Sequence, residues 1–338
     1  MNECLDIIDG LKDLISSDSY RKSLGLPNEV VETYENLAHG EYNQNFIFIH
    51  PITNEKLVLR VERGSQMGID NQIEYEFNAL KFLEKSGRTP TPLYCDGSRL
   101  ICKNGVLVEK FLRGQRLDYE NSFHLKQAAV IFADIHSLET AGVEIIKAKD
   151  ARRAMFDECL KMAGVYFASN VCKSDVKNQI DRLLLEAQNA IATSDNSPTR
   201  LSIINTEVNN TNFLINEHEK SYLIDWEKPL LSDPAQDIGH FLADTTTFWK
   251  TEFFFTQSQK EDFVDEYIDS LKGRLQDEGL KKRCLDFANF TCLRGVCWCA
   301  MASVEYESSS KEILDPTTRK KLPFYLDVEY LKSINLKC

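Results

Sequence analysis

Residues 201–240 read LSIINTEVNNTNFLINEHEKSYLIDWEKPLLSDPAQDIGH, and this stretch decides the fold. Two apolar runs, NFLIN and SYLIDW, are separated by the polar turn EHEK, which predicts a hairpin of two short strands. Three polar residues stand around it: Glu207, Asn212 and Asp225. Asp225 ends the apolar strand YLID, so the spacing predicts a carboxylate held at the edge of a sheet. Asn212 begins the preceding strand. Two strands of one hairpin can aim a carboxylate and an amide oxygen at a common point. That pair is a suitable half-shell for Mg²⁺, which keeps its other positions for water and phosphate.

With these residues in view the sequence resembles the aminoglycoside phosphotransferase and choline kinase superfamily of the protein-kinase-like fold. In kinase-like folds a catalytic loop H-x-D-x-x-x-x-N is followed by a metal-binding Asp. In the aminoglycoside phosphotransferase branch the second motif is commonly I-D-W-E, with D-P-A-x-D-I/L downstream. This chain has Ile224-Asp225-Trp226-Glu227 and then Asp233-Pro234-Ala235-Gln236-Asp237-Ile238. The catalytic loop departs from the pattern, because Asn205-Thr206-Glu207 stands where the family has H-x-D. The resemblance implies catalytic roles for Glu207, Asn212 and Asp225, with Asn212 and Asp225 holding the metal. It implies ATP or GTP and Mg²⁺ as cofactors. The side chains are expected to converge on one pocket facing Arg60 across a cleft between lobes. Glu is longer than Asp by one methylene, so two readings stay open. One is an active enzyme with a Glu base; the other is a nucleotide-binding pseudokinase on the same fold. Asp237 is expected to brace the catalytic loop, and His136 and His240 are expected to be structural.

Working outward, the segment from Val31 to about Phe111 carries strand patterns: LAHGEYNQNFIFI, KLVLRV, the region Arg99 to Cys102, and VLVEKFL. Residues 70–86 have helical spacing, with Ile73, Phe77, Leu80 and Leu83 on one side. The first third therefore reads as a sheet of about five strands with one inserted helix. The resemblance assigns Gly40 and Asn43 to the turn that covers the phosphates, and Arg60 to the cation that grips them. Arg60 takes Glu76 as its helix partner, with Glu74 as competitor. The segment 106–111, with Glu109 and Phe111, is assigned to the hinge that meets the nucleobase. Beyond Gly114 the periodicity is helical, over LKQAAVIFADIHSLE, 152–168, 176–193 and most of 258–338. Leu5, Ile8, Leu11 and Ile15 predict a helix over residues 3–16. The fold class is thus α+β and two-lobed: an antiparallel N-lobe over 1–112 and a helical C-lobe over 113–338 that carries the hairpin region 201–240.

The bulk properties fit. The chain has 338 residues, 43% of them hydrophobic, and 19 Phe, 12 Tyr and 3 Trp to bury. Its formal charge of −12 argues against a nucleic-acid partner; it reads first as a solubilising surface and second as one that attracts cationic small molecules. No GxxxxGK[ST], GxGxxG or GxSxG motif is present, which disfavours P-loop, Rossmann and α/β-hydrolase chemistry. No A-P-E segment and no activation-loop insert lie between Asp225 and Asp233, so a small-molecule hydroxyl acceptor is expected rather than a protein. Acceptors in the superfamily include aminoglycosides, choline, ethanolamine, methylthioribose and fructosamines. The N-terminus MNECLDIIDGLKDL lacks a secretory pattern, and no apolar run is expected to reach the length of a membrane span. The ten cysteines then read as reduced thiols in a cytoplasmic protein, with Cys292, Cys297 and Cys299 as buried thiols rather than metal ligands. The sequence leaves the oligomeric state undetermined.

Overall fold

The computed structural model describes residues 3–5, 8–39, 42–65, 67–148, 150–193, 197–307 and 316–336. The chain packs as two compact units. The first comprises Met1–Arg116, Thr140–Ile146 and Asn212–Pro229; the second comprises Leu117–Glu139, Lys147–Thr211 and Leu230–Cys338.

The first unit is built on an antiparallel sheet of five strands: β1 (Glu35–His39), β2 (Asn43–Ile49), β3 (Lys56–Glu62), β4 (Pro92–Asp96) and β5 (Val106–Lys110). Their order is β1-β2-β3-β5-β4. Alternation along the strands divides the sheet into two chemically different faces. Phe46, Phe48, Leu57, Leu59, Val61, Val106 and Val108 form one face and join the core with Leu11, Leu14, Ile15 and Tyr20. Those last residues come from α1 (Leu11–Ser16) and α2 (Asp18–Leu24). The opposite face carries Arg60, which pairs in register with Asn45 on β2 and Leu107 on β5. There the helix α3 (Gln72–Leu83) buries Ile73, Glu76, Ala79, Leu80 and Leu83.

The N-terminal helix expected over 3–16 is broken. A 3₁₀ turn covers Glu3–Leu5, and α1 starts only at Leu11, after Gly10 at φ 76°. A Cβ on Gly10 would stand 2.0 Å from the carbonyl oxygen of Ile101, so both the backbone angle and the close approach require glycine. Sequence reading also passed over α2, which Ser17 starts by accepting the N–H of Tyr20 and Gly25 ends in the left-handed region. Arg21 of α2 is buried against Glu32 and donates to the carbonyl of Glu29 at 2.9 Å, which ties the helix to the segment entering the sheet.

A small sheet completes the unit: β6 (Gln115–Arg116), β8 (Phe213–Ile215) and β9 (Tyr222–Leu223). The second unit holds the two-stranded sheet of β7 (Ser202–Ile204) with β10 (Leu230–Ser232) and most of the helices. These are α4 (Ser122–His136), α5 (Ala151–Phe167), α6 (Ser174–Thr193), α7 (Ala235–Leu242), α8 (Asp244–Lys250), α9 (Gln257–Leu271), α10 (Leu280–Glu307), α11 (Pro316–Tyr325) and α12 (Val328–Ser333).

The long helix α10 corrects one sequence expectation. It is long and apolar enough, by length and composition alone, to cross a membrane, yet 61% of its apolar window is buried within the protein. Its apolar residues pack against α5 and α7, and Cys292, Cys297 and Cys299 are buried among them. Among the described residues no group of His, Cys, Asp and Glu side chains forms a metal cage, and the nine described cysteines are free. The packing of α7 on α10 leaves no room at Gly239, where a Cβ would lie 2.3 Å from Phe287 Cβ. Gly239→Ala is therefore expected to lose about 1–3 kcal/mol of stability by overpacking, read as a lower denaturation midpoint at unchanged slope.

Candidate active site

In the first unit, Arg60 gathers acidic side chains from three separate segments. Its Nε lies 3.3 Å from Glu76 Oε2, and its Nη2 lies 3.1 Å from Asp225 Oδ1 and also bonds Glu227 Oε1. Asn43, at the start of β2, donates from Nδ2 to the same Glu227 oxygen. Glu109, two residues beyond Leu107 on β5, adds a fourth carboxyl within electrostatic reach of Arg60. Sequence spacing correctly favoured Glu76 over Glu74, because Glu76 shares the buried face of α3 with Leu80 and Leu83. It missed Glu227, whose contact with Arg60 spans 167 positions and leaves no local signal.

Four carboxyl groups around one guanidinium leave an excess of negative charge at a largely dry site. Arg60 is 6% exposed, Glu76 3% and Glu227 9%. Burial pushes Glu76 up to about 8, against the pull of Arg60, and the neighbouring carboxylates push the same way. Burial likewise takes Glu109 to about 7 and Glu227 to about 7, with Asp225 contributing to both. Burial opposes the charge on Arg60, but its acidic neighbours more than compensate and hold it protonated. The Arg60 Nε is buried without a hydrogen bond, an unsatisfied donor at the centre of the cluster. Hard oxygen donors in excess over cations are the donor set that suits Mg²⁺, which takes one or two carboxylates and keeps its waters.

These shifts set a pH dependence. The folded values lie above the ordinary carboxyl range near 4.5, so the native state binds more protons than the unfolded chain between about pH 4.5 and 8. The stabilising contribution is complete below about 4.5 and is lost as pH rises through 7–8. Thermal unfolding is expected at a lower temperature at pH 8.5 than at pH 6.5. Added Mg²⁺ is expected to narrow that gap.

Asp225 itself does not sit in the strand that its apolar neighbours predicted. Strand β9 ends at Leu223, and Asp225 stands two residues later at φ 64°. The left-handed region costs a non-glycine residue about 1–2 kcal/mol, least for Asp and Asn. Asn212 closes a 3₁₀ turn just before β8 and accepts the N–H of Ile224 at 2.9 Å, which links the two segments.

Strand β5 is paired on both sides, and the N–H of Lys110 and of Phe111 donate to the carbonyls of Thr91 and Lys56 at 2.9 and 3.1 Å. The sheet has thus consumed those donors. The Phe111 ring lies 5.7 Å from Lys56 Nζ and, with Ile49, Lys56 and Arg113, lines a cavity of about 350 Å³. Gly40 lies outside the described residues.

In the second unit, Glu207 follows β7 on a loop whose backbone is clamped. Asp237 Oδ2 accepts the N–H of Asn205 at 2.7 Å and Oδ1 that of Thr206 at 2.8 Å. Thr206 is held at φ 73°, an unusual conformation for a β-branched residue, and the two bonds from one carboxylate offset that strain. Asn205 Oδ1 accepts the N–H of Glu207 at 3.0 Å, so the residue in the histidine's place still shapes the loop. His136 is buried between Tyr267, whose hydroxyl is 2.9 Å from Nδ1, and Asp237, 3.5 Å from Nε2. Asp233 holds α7 by accepting the N–H of Ala235 at 3.0 Å and pairs with the buried Arg283 at 2.7 Å.

The family model for choline/ethanolamine kinase matches residues 25–326. A search of curated proteins found no match to the sequence. Among solved structures, the chain is similar to choline kinase from Cryptosporidium parvum, with 13% identity and a TM-score of 0.61, covering 94% of this chain and 95% of that one. It is similar to Plasmodium vivax ethanolamine kinase, at 16% identity and a TM-score of 0.60, covering 91% and 86%. It is also similar to a spectinomycin phosphotransferase in complex with ADP and spectinomycin, at 11% identity and a TM-score of 0.59, covering 90% and 92%. At these identities the structural likeness shows the fold.

Proposed function

Because the chain belongs to the choline/ethanolamine kinase family, a family of small-molecule kinases with an alcohol group as acceptor, we propose that it transfers the γ-phosphoryl group of ATP or GTP to the hydroxyl of a small cationic alcohol. The observation that carries this reading is the cluster in which Arg60 meets Glu76, Asp225 and Glu227. Choline, ethanolamine or a related amino alcohol is the acceptor class proposed first; aminoglycosides and sugar-like alcohols are the next.

In this reading Arg60 grips the nucleotide phosphates with its fork of N–H donors, and Glu76 keeps it aimed. Leu112 offers its backbone N–H to the nucleobase edge, and Phe111 gives the ring one apolar wall in a cavity otherwise lined mainly by Glu55, Lys56, Lys110 and Arg113. Asp225 and Asn212 would hold Mg²⁺, which would supply charge neutralisation at the phosphates. Glu207 accepts the proton of the acceptor hydroxyl as that oxygen takes the phosphoryl group, and the nucleoside diphosphate departs. Most of the work is positioning, so a Glu base is compatible with turnover if the loop places it well. A cytoplasmic setting, with free thiols, belongs to the same proposal.

The test is a coupled ADP- or GDP-release screen across amino alcohols, sugars and aminoglycosides with Mg²⁺, with Glu207→Gln and Asp225→Asn as controls. Acceptor-dependent release that both substitutions abolish supports the reading. Nucleotide binding without turnover on any acceptor replaces it with a pseudokinase.

A further inference from the structure

Helix α3 does more than present Glu76 to Arg60. Two further side chains at its start reach the segment that follows Asp225. Gln72, the first residue of α3, is 3% exposed and donates from Nε2 to the carbonyl oxygen of Glu227 at 3.1 Å. Its Oε1 accepts the Ser65 hydroxyl at 2.7 Å and the N–H of Met67 at 3.3 Å, so the amide cannot turn over without losing these bonds. Tyr75 donates its hydroxyl to the carbonyl oxygen of Pro229 at 2.5 Å and accepts the N–H of Ile146 at 3.1 Å. Gln72, Tyr75 and Glu76 stand at i, i+3 and i+4, which puts all three on one face of the helix. Every segment they touch belongs to the first unit.

Asp225 is held from both sides at φ 64°. Before it, the N–H of Ile224 donates to the Asn212 carbonyl at 2.9 Å. Next to it, the buried Trp226 donates its indole N–H to the Leu223 carbonyl at 3.0 Å. After it come the two carbonyls that α3 grips, at Glu227 and Pro229. A non-glycine residue keeps a left-handed conformation only where its surroundings over-determine it. Resting on the proposed function, we infer that Gln72 and Tyr75 are positioning residues for Asp225: they fix the backbone on its C-terminal side and so aim its carboxylate at the place where Mg²⁺ is to be held. Neither touches the reacting atoms. The same helix carries Glu76, 3.3 Å from Arg60 Nε, so α3 sets the cation for the phosphates and the carboxylate for the metal together.

The experiment uses the full chain, Mn²⁺ as a probe in place of Mg²⁺, and the β,γ-imido analogues of ATP and GTP, which do not give up their terminal phosphoryl group. Bound Mn²⁺ is measured by electron paramagnetic resonance, and steady-state kinetics are run in parallel. Wild type is compared with Tyr75→Phe, Gln72→Met, the double variant and Ser65→Ala. Tyr75→Phe removes a single oxygen, and Gln72→Met keeps the length of the side chain without its polar atoms. The double variant is expected to weaken Mn²⁺ binding by ~10–100-fold, the usual cost of losing the groups that orient a metal ligand, and each single variant by ~3–10-fold. The value of kcat is expected to fall with it, while KM for the acceptor stays within ~3-fold. Ser65→Ala frees the loop before α3 but leaves the bond to Glu227, and is expected to keep Mn²⁺ affinity within ~2-fold of wild type. A role in the fold alone lowers the denaturation midpoint and leaves Mn²⁺ affinity where it is. Affinity within ~2-fold of wild type in the double variant, or in Tyr75→Phe should the double variant not fold, overturns the inference. An equal loss in Ser65→Ala overturns it too, as does wild-type protein that takes up no Mn²⁺. Wild-type protein that binds Mn²⁺ and nucleotide but turns over no acceptor ends the functional reading, and the Mn²⁺ titration still decides this one.

Discussion

Asp225→Asn is expected to lower turnover by ~10²–10³-fold, the loss typical of removing one group that stabilises charge in a transition state. The substitution keeps the size and the tolerance of the left-handed conformation that Asp225 occupies at φ 64°. The loss would therefore come from the missing charge and not from a rebuilt loop. The structure adds a second, opposite expectation for stability. Asp225 is one of the charges that raise Glu76, Glu109 and Glu227. Removing it lets those groups ionise at lower pH, so the variant is expected to be no less stable than wild type near pH 8. Its dependence of stability on pH across 4.5–8 should be shallower. Kinetics and thermal unfolding on one preparation check both. A variant both inactive and strongly destabilised at pH 8 would mean that Asp225 serves the fold.

Arg283→Met is expected to have the largest effect on stability, about 3–5 kcal/mol, because it strands two buried carboxylates. Arg283 is fully buried, with Nε 2.7 Å from Asp233 Oδ2 and Nη2 2.7 Å from Asp277 Oδ2. Burial works against the charge on Asp277, but the Arg283 bonds prevail and hold its carboxyl below the usual range. A depressed folded value contributes stability that is present above the unfolded value near 3.8 and lost as pH falls through the folded one. The deficit of Arg283→Met is thus expected to shrink as pH is lowered toward 4, when the stranded carboxyls take up protons. Denaturant unfolding at pH 7 and pH 4.5 measures it. Activity should fall too, since Asp233 seats the first turn of α7, and α7 carries the Asp237 that clamps the loop before Glu207. A midpoint unchanged at pH 7 would refute the buried-pair argument.

The parts of this protein that could be read in advance are those written locally. Period-two runs marked β2, β3 and β5, and the inward face of α3 selected Glu76 as the partner of Arg60. The order of the Asp225 and Asp233–Asp237 motifs pointed to the family before any coordinate did. Long-range pairings were not legible. Glu227 gives no local sign that it bonds Arg60, and Arg283 looks like any other cation on a helix. The break at Gly10 was hidden because Leu5, Ile8, Leu11 and Ile15 keep helical spacing across it; the close carbonyl of Ile101 that demands glycine lies some ninety residues away. The engagement of the Lys110 and Phe111 N–H groups was hidden for a similar reason, since only the pairing of β5 on both edges shows which donors are already taken.

The most direct measurement follows the phosphorus atom. Wild-type protein is mixed with Mg²⁺, nucleoside triphosphate and an equimolar set of small cationic alcohols, and the reaction is followed by ³¹P NMR. Growth of a phosphomonoester signal in step with nucleoside diphosphate, absent with Asp225→Asn, is the predicted result. Diphosphate accompanied only by inorganic phosphate, or no change in the γ-phosphorus signal while nucleotide demonstrably binds, would contradict it.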